Sequence, residues 1–212
     1  DFFEHDYLYI NNGDRTFREV IAAATRHVSY SSMGNDVADF NNDTLPDVLV
    51  LDMVAEDNRR LKANLGGLDM KRFALSRELG FHYQYMFNAL HLNNGGAQFS
   101  EIAHMAGVPN TDWSWGPLFA DFDNDGWKDL YIANGIRKDI RNIDWAQQFW
   151  KAIEKHGGQE HIPVEVRSQL LDALPSEKVL NYMYKNEGNL TFRRVNAEWG
   201  MEVPSFSNGA AY

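Results

Sequence analysis

One phrase occurs three times in this chain of 212 residues: Tyr9-Ile10-Asn11-Asn12-Gly13 leading to Phe17, His91-Leu92-Asn93-Asn94-Gly95 leading to Phe99, and Tyr184-Lys185-Asn186-Glu187-Gly188 leading to Phe192. The spacing from Asn to Gly to Phe is the same in all three. Twenty-two residues after Phe17 and Phe99 come Asp39 and Asp121, each opening an Asp-rich nonapeptide that closes at Asp47 or Asp129. A Ser-x-Gly precedes each nonapeptide, at Ser32-Met33-Gly34 and Ser114-Trp115-Gly116, and a third, Ser207-Asn208-Gly209, stands at the same distance from Phe192. Such repetition points to a stacked or radial array whose units bury their apolar faces against one another. The sequence stops at Tyr212, two residues short of where a third loop Asp is due, so the chain is expected to be a segment of a longer array.

Each repeat holds four short strand candidates. Residues 34–40 and 116–122 read as strand one, and the β-branched or aromatic runs 47–51 and 129–132 as strand two. The Asn-x-Gly phrase supplies residues that accept positive φ, so it reads as the hairpin between strand three (6–10, 88–92, 181–184) and strand four (17–21, 99–104, 192–195). Four antiparallel strands per repeat describe a propeller blade. The expected fold class is therefore mainly β, a partial β-propeller of four-stranded antiparallel blades. Its expected divisions are a half blade at 1–28, a blade at 29–110, a blade at 111–200 and the start of the next at 201–212, with its strand at about 206–212.

Insertions at 53–80 and 135–181, between strands two and three, lengthen the repeats to 82 and 93 residues and change the period from 2 to 3.6. From Asp69 to Gly80, Met70, Phe73, Ala74 and Leu79 share one helical face behind an Asp cap. From Asp144 to Gly157, Trp145, Phe149, Trp150 and Ile153 share another, expected to dock on the propeller, and a further helix runs from about Pro163 to Leu174 before Pro175. Arg59, Arg60 and Lys62 read as a solvated face.

Seven carboxylates in two nonapeptides repel one another unless a hard cation sits among them, and alternating oxygen ligands in a tight loop are how proteins wrap calcium. Positions one, three, five and nine offer side chains and position seven its carbonyl. These are Asp39, Asn41, Asp43, Asp47 and the Leu45 carbonyl in loop one, and Asp121, Asp123, Asp125, Asp129 and the Trp127 carbonyl in loop two. An EF-hand would need a Glu at position twelve, where Val50 and Ile132 stand. Magnesium, which keeps its waters, is the lesser candidate. Position six is Gly126 in loop two but the β-branched Thr44 in loop one, and position three is Asp123 against Asn41. Loop two is therefore expected to bind the more tightly.

The phrases Gly34-Asn-Asp-Val-Ala-Asp39-Phe-Asn-Asn-Asp43 and Gly116-Pro-Leu-Phe-Ala-Asp121-Phe-Asp-Asn-Asp125 resemble FG-GAP/VCBS repeats, the units of the integrin α-subunit type of propeller. The Asn-Asn-Gly phrase resembles bacterial VCBS-repeat proteins of the CRTAC1/ASPIC-UnbV kind, which are secreted or attached to the cell surface. Met33-Gly34 and Trp115-Gly116 stand where Phe-Gly is usual, and no Gly-Ala-Pro follows strand two. The resemblance implies calcium in the loops and, for full chains, a seven-bladed propeller.

Thirty acidic against twenty basic residues give a net charge of −10, the wrong sign for collecting phosphates, so nucleic acid is not an expected partner. All the net acidity lies outside the two insertions. Without cysteine there is no disulfide, thiol nucleophile or zinc-thiolate site. No apolar run is long enough to span a membrane, and the start at Asp1 has no signal-peptide character, so any export signal is expected outside this chain. There is no Gly-x-Ser-x-Gly, phosphate loop or dinucleotide fingerprint. The seven histidines show no ligand spacing. Trp113, Trp115 and Trp127 would suit a sugar-stacking platform, but packing between blades is the expectation for Trp115. The expected function is that of a non-enzymatic, calcium-binding module for a protein or glycan ligand, extracellular or at a bacterial cell surface in association with the outer membrane. Its other partner would be the remaining blades of the same or an associated chain. The alternative is a propeller-based carbohydrate-active enzyme, a polysaccharide lyase or hydrolase.

Overall fold

A computed structural model gives the arrangement of residues 6–64 and 70–211. In chain order, β1 (Tyr9–Asn11) and β2 (Phe17–Glu19) form a hairpin, followed by the one-turn helix α1 (Ile21–Ala24) and β3 (Val28–Ser29). Next come β4 (Asn35–Ala38), β5 (Asp47–Val50), β6 (Met53–Val54), α2 (Asn58–Asn64), α3 (Met70–Glu78), β7 (Gln84–Tyr85), β8 (Ala89–Asn93), β9 (Phe99–Glu101) and α4 (Ala103–Ala106). The chain continues through β10 (Asp112–Ala120), β11 (Asp129–Asn134), α5 (Ile143–His156), a 3-10 turn (Gln159–His161), α6 (Val164–Asp172), β12 (Val179–Leu180), β13 (Tyr182–Asn186), β14 (Phe192–Arg194) and β15 (Pro204–Ser205).

Two sheets carry the fold. One has the order β4-β5-β8-β9, antiparallel throughout, and the other the order β14-β13-β11-β10-β6. In the second, β10, β11, β13 and β14 repeat the first sheet strand for strand, and β6 adds to the start of β10 through Met53 and Val54 opposite Trp113 and Asp112. This mainly β arrangement fits a partial propeller. Alternation sets the faces: Asp47 and Leu49 are buried on one side of β5, while Val48 and Val50 lie half-buried on the other.

The three hairpins are built alike. In each, the amide of the glycine donates to the Asn side chain two residues earlier: Gly13 to Asn11 at 2.8 Å, Gly95 to Asn93 at 2.9 Å and Gly188 to Asn186 at 3.0 Å. The glycines hold φ between 69° and 81°, which explains why Gly follows the Asn. The Ser-x-Gly phrases stack in succession, the first on the second and the second on the third. A Cβ on Gly34 would lie 2.1 Å from the Trp115 carbonyl oxygen, and one on Gly116 would lie 3.4 Å from the Ala210 amide.

Between the blades sits a core of Phe40, Leu49, Leu90, Phe119, Leu130, Ile132, Tyr184 and Phe192. The rings of Phe40, Phe119 and Phe192, each from a different stretch of chain, lie 5.5–6.2 Å apart. Each such side chain contributes about 1.5–3 kcal/mol on burial. Trp115 is half-buried and donates its ring N–H to the Gly135 carbonyl at 2.7 Å, and Trp113 is buried beside it. The pair belongs to the packing.

Several expectations are corrected. Strand four does not reach Ile21 or His104, which lie in α1 and α4. The reason is a carboxylate: Glu19 Oε1 accepts from the Leu8 and Ile21 amides, and Glu101 Oε1 from the Leu90 and Ala103 amides, so each Glu closes its strand and caps the turn after it. The last strand is Pro204–Ser205, paired with β12, rather than 206–212. The helix α3 ends at Glu78, short of Gly80, with Met70 69% and Leu79 68% exposed, while Phe73 meets Tyr83 and Tyr85. The Asp69 cap lies outside the described residues. The α5 face turns toward α6 rather than a blade: Trp145 stacks on Phe149 and donates to the Leu170 carbonyl, leaving Trp150 66% exposed. Its cap is Asn142, whose side chain accepts from the Trp145 amide.

Candidate metal centre

Each Asp-rich nonapeptide joins the first two strands of a blade, β4 to β5 and β10 to β11, and the two fold by the same hydrogen bonds. The position-one carboxylate accepts from the amides at positions five and six: Asp39 from Asp43 and Thr44 at 3.0 and 2.9 Å, Asp121 from Asp125 and Gly126 at the same distances. The position-five carboxylate accepts from position seven, Asp43 from Leu45 at 2.8 Å and Asp125 from Trp127 at 2.9 Å. Position nine is fully buried and ties the loop to the third strand. Asp47 accepts from the Phe40 and Asn93 amides, Asp129 from those of Phe122 and Asn186. Burial, with the neighbouring loop carboxylates adding to it, pushes the Asp47 and Asp129 carboxyls up from their ordinary value.

The turns themselves need positive φ. Position four supplies it through Asn42 and Asn124 at 59° and 61°, and position six through Thr44 and Gly126 at 71° and 90°. Thr44 thus holds the conformation that a β-branched residue adopts at a cost, as its place in the sequence implies. The position-seven side chains, Leu45 and Trp127, lie over the hairpin glycines Gly95 and Gly188 of the same blade, where a Cβ would be 3.9 and 3.1 Å away. Trp127 is therefore committed to its own blade and does not join Trp113 and Trp115.

The donor set suits a hard cation. Carboxylate oxygens of Asp121, Asp123 and Asp129 come within 4.8 Å of one another. Ligands at 2.3–2.6 Å on opposite sides of a calcium ion are about 5 Å apart, so this spread matches. Among the described residues loop one forms no such three-carboxylate cluster, although Asp39, Asp43 and Asp47 accept the same backbone bonds. The two loops touch: the Asn42 side chain donates to the Gly126 carbonyl at 3.0 Å, and the Asn186 side chain reaches back to the Phe40 carbonyl at 2.8 Å.

The loops differ at one point. In loop one the Asn41 amide donates to Asp43 Oδ2 at 2.9 Å. In loop two position three is Asp123, which has no donor, and the Lys185 ammonium fills the role, bonding Asp125 at 2.7 Å and also Asp123. The bond from Lys185, with that from the Trp127 amide, lowers the Asp125 carboxyl, and the two aspartates raise the lysine.

Other polar residues organise the blades and escape a reading confined to the loops. Asn88 and Asn181 accept from the Asp52 and Asn134 amides at 2.8 and 2.9 Å, tying the end of strand two to the start of strand three in both blades. Their equivalent spacing from the hairpin Asn, five residues in each repeat, is the signal that exposes them. Asp36 on β4 accepts from the Phe119 amide of β10 at 2.7 Å, joining neighbouring blades. Arg60, expected to be solvated, is buried: it meets Asp112 at 2.5 and 2.8 Å, Asp139 at 3.3 Å and Glu177 at 3.1 Å.

Repeated four-stranded sheets, an Asp-rich loop between the first two strands and close stacking at Gly34 and Gly116 together define a repeat protein of the propeller type. The FG-GAP-like repeat model matches residues 3–50 and 79–132, two spans that each run from strand three through the Asp-rich loop to strand two, and the chain carries FG-GAP-like repeats over both. No curated protein matches the chain.

Proposed function

We propose that this chain is a calcium-stabilised segment of a β-propeller, part of a non-enzymatic module that binds or adheres to a protein or glycan outside the cytoplasm. The observation that carries the reading is the identity of the two loops. Asp39 with Asp121, Asp43 with Asp125 and Asp47 with Asp129 make matching bonds 82 residues apart. Asp39, Asn41, Asp43, Asp47 and the Leu45 carbonyl would hold one ion, and Asp121, Asp123, Asp125, Asp129 and the Trp127 carbonyl the other. Bound calcium would supply charge neutralisation rather than reaction chemistry. The protein's part is to fix the carboxylates on a loop whose ends Asp47 and Asp129 have already pinned. Extracellular modules commonly bind calcium at ~10⁻⁴ to 10⁻³ M, a range that suits secretion or display at a bacterial surface.

In this reading the hairpin β1-β2 is half of a blade, β4-β5-β8-β9 and β10-β11-β13-β14 are two blades of a propeller of about seven, and the helical stretches 53–80 and 135–181 are insertions that decorate it. Among the described residues no helix is long and apolar enough to cross a membrane. The competing enzyme reading needs paired acids at an open pocket. Asp112 and Asp139 turn onto Arg60, so the enzyme reading would place its site elsewhere, at the cavity of about 470 Å³ bordered by Asp6, Ser32 and His91.

Equilibrium dialysis against calcium should find two ions per chain, falling to one in either Asp43→Ala or Asp125→Ala. A glycan and protein array probed with and without calcium should then show calcium-dependent retention without turnover. Cleavage of a polysaccharide by the chain would replace this reading with the enzymatic one.

A further inference from the structure

Lys185 stands on β13 at the place that Leu92 holds on β8: each is one residue before the hairpin Asn and four after the Asn that anchors strand two. Leu92 packs against the core between the blades. Lys185 instead sends its ammonium 60 residues back along the chain, to Asp125 at 2.7 Å and to Asp123. Among the described residues no lysine or arginine pairs with loop one, where the Asn41 amide donates to Asp43. Two differences between the repeats therefore go together. Where position three can donate, strand three carries Leu, and where position three is a further carboxylate, strand three carries Lys.

We propose that Lys185 is a built-in counter-cation of loop two, which holds the loop closed without metal and which a metal ion has to displace. The inference rests on the calcium reading of the loops. Its consequence narrows the advantage that loop composition alone gives to loop two. Loop two has four carboxylates and a glycine at position six, yet it surrenders part of that advantage to an ammonium already seated between Asp123 and Asp125. Loop one, with three carboxylates and the strained Thr44, has among the described residues no ion pair to break. Loop two accordingly takes calcium up less readily than its four carboxylates alone would allow. With both partners about a quarter to a third exposed, two such contacts amount to roughly a tenfold change in affinity.

The test uses the whole chain with loop one silenced by Asp43→Ala, so that calorimetry with calcium chloride reads loop two alone. Adding Lys185→Met should tighten calcium about tenfold and, in chelator, lower the melting temperature, because four carboxylates then face one another without a counter-charge. Adding Lys185→Arg, which keeps the charge, should leave calcium affinity close to that of the Asp43→Ala parent. If Lys185→Met leaves the dissociation constant within twofold of that parent while calcium still binds, Lys185 is a surface ion pair and the proposal is overturned, with the calcium reading intact. If neither the unmodified chain nor any variant takes up calcium, the calcium reading fails and the proposal falls with it.

Discussion

Asp47 and Asp129 show how one residue type does two jobs in a nine-residue loop. Both are fully buried with both oxygens engaged by backbone amides, so they are structural before they are ligands. Asp129→Asn turns a donor toward an amide N–H and should cost about 1–3 kcal/mol even in chelator, read by chemical denaturation. Asp121→Ala instead opens the loop at its exposed end and should chiefly remove the response to calcium. Thr44→Gly relieves a β-branched residue at φ 71° and should stabilise the calcium-free chain by about 1 kcal/mol; a loss of stability there would mean that the Thr44 side chain has a role of its own. His91 offers a pH test. It lies buried on β8 with Glu101 beside it and His27 and His82 nearby, and burial pushes its pKa down to about 4. The unfolded chain binds that proton at an ordinary pKa near 6.5 and the folded chain does not, so stability is full above about pH 6.5 and falls as pH drops toward 4. His91→Leu should flatten the slope of denaturation midpoint against pH across that window, by up to about 3 kcal/mol at its acid end.

Among the elements, strands and hairpins were legible and short helices were not. The hairpins announce themselves because Asn, Gly and Phe recur at fixed spacing and each Asn performs the same bond. The one-turn helices α1 and α4 hide because the groups that start them, Glu19 and Glu101, look like ordinary strand residues until their carboxylates are seen to bond amides on both sides of the bend. α2 hides for a different reason. Arg59, Arg60 and Lys62 form a basic run typical of solvated faces, and nothing local reveals that Asp112 and Asp139, 52 and 79 residues further on, enclose Arg60. Lys185 was invisible to a reading of the loops for the same cause: its partners are distant in sequence and adjacent only across a blade. Contacts of this kind make α2 a clamp between β10 and the segment after β11. Arg60→Met should strand two buried carboxylates and cost about 3–5 kcal/mol. Hydrogen exchange should report it first at residues 58–64, with the β4-β5-β8-β9 sheet protected until global unfolding. Uniform loss of protection would show that α2 is part of the cooperative core.

At the scale of the molecule, the blades are held by the Phe40, Phe119 and Phe192 cluster, by Gly34 against Trp115, and by the polar links from Asp36, Asn42 and Asn186. The loops sit at that junction, since Asn42 of loop one bonds loop two and Asn186 bonds Phe40 beside loop one. Filling them should therefore stiffen the contact between blades as well as each turn. A ligand confined to the folded state adds about 2.7 kcal/mol at a hundredfold excess over its Kd, and a chain of this length gains about 2–4 °C per kcal/mol. Thermal unfolding of the whole chain in chelator and in calcium at about a hundredfold excess over the measured Kd, beside an Asp39→Ala/Asp121→Ala variant, is the direct measurement. Calcium should raise the parent's melting temperature by about 5–10 °C per filled site and leave the double variant unmoved. A parent that melts at the same temperature in both solutions, with no calcium retained on dialysis, would contradict the account.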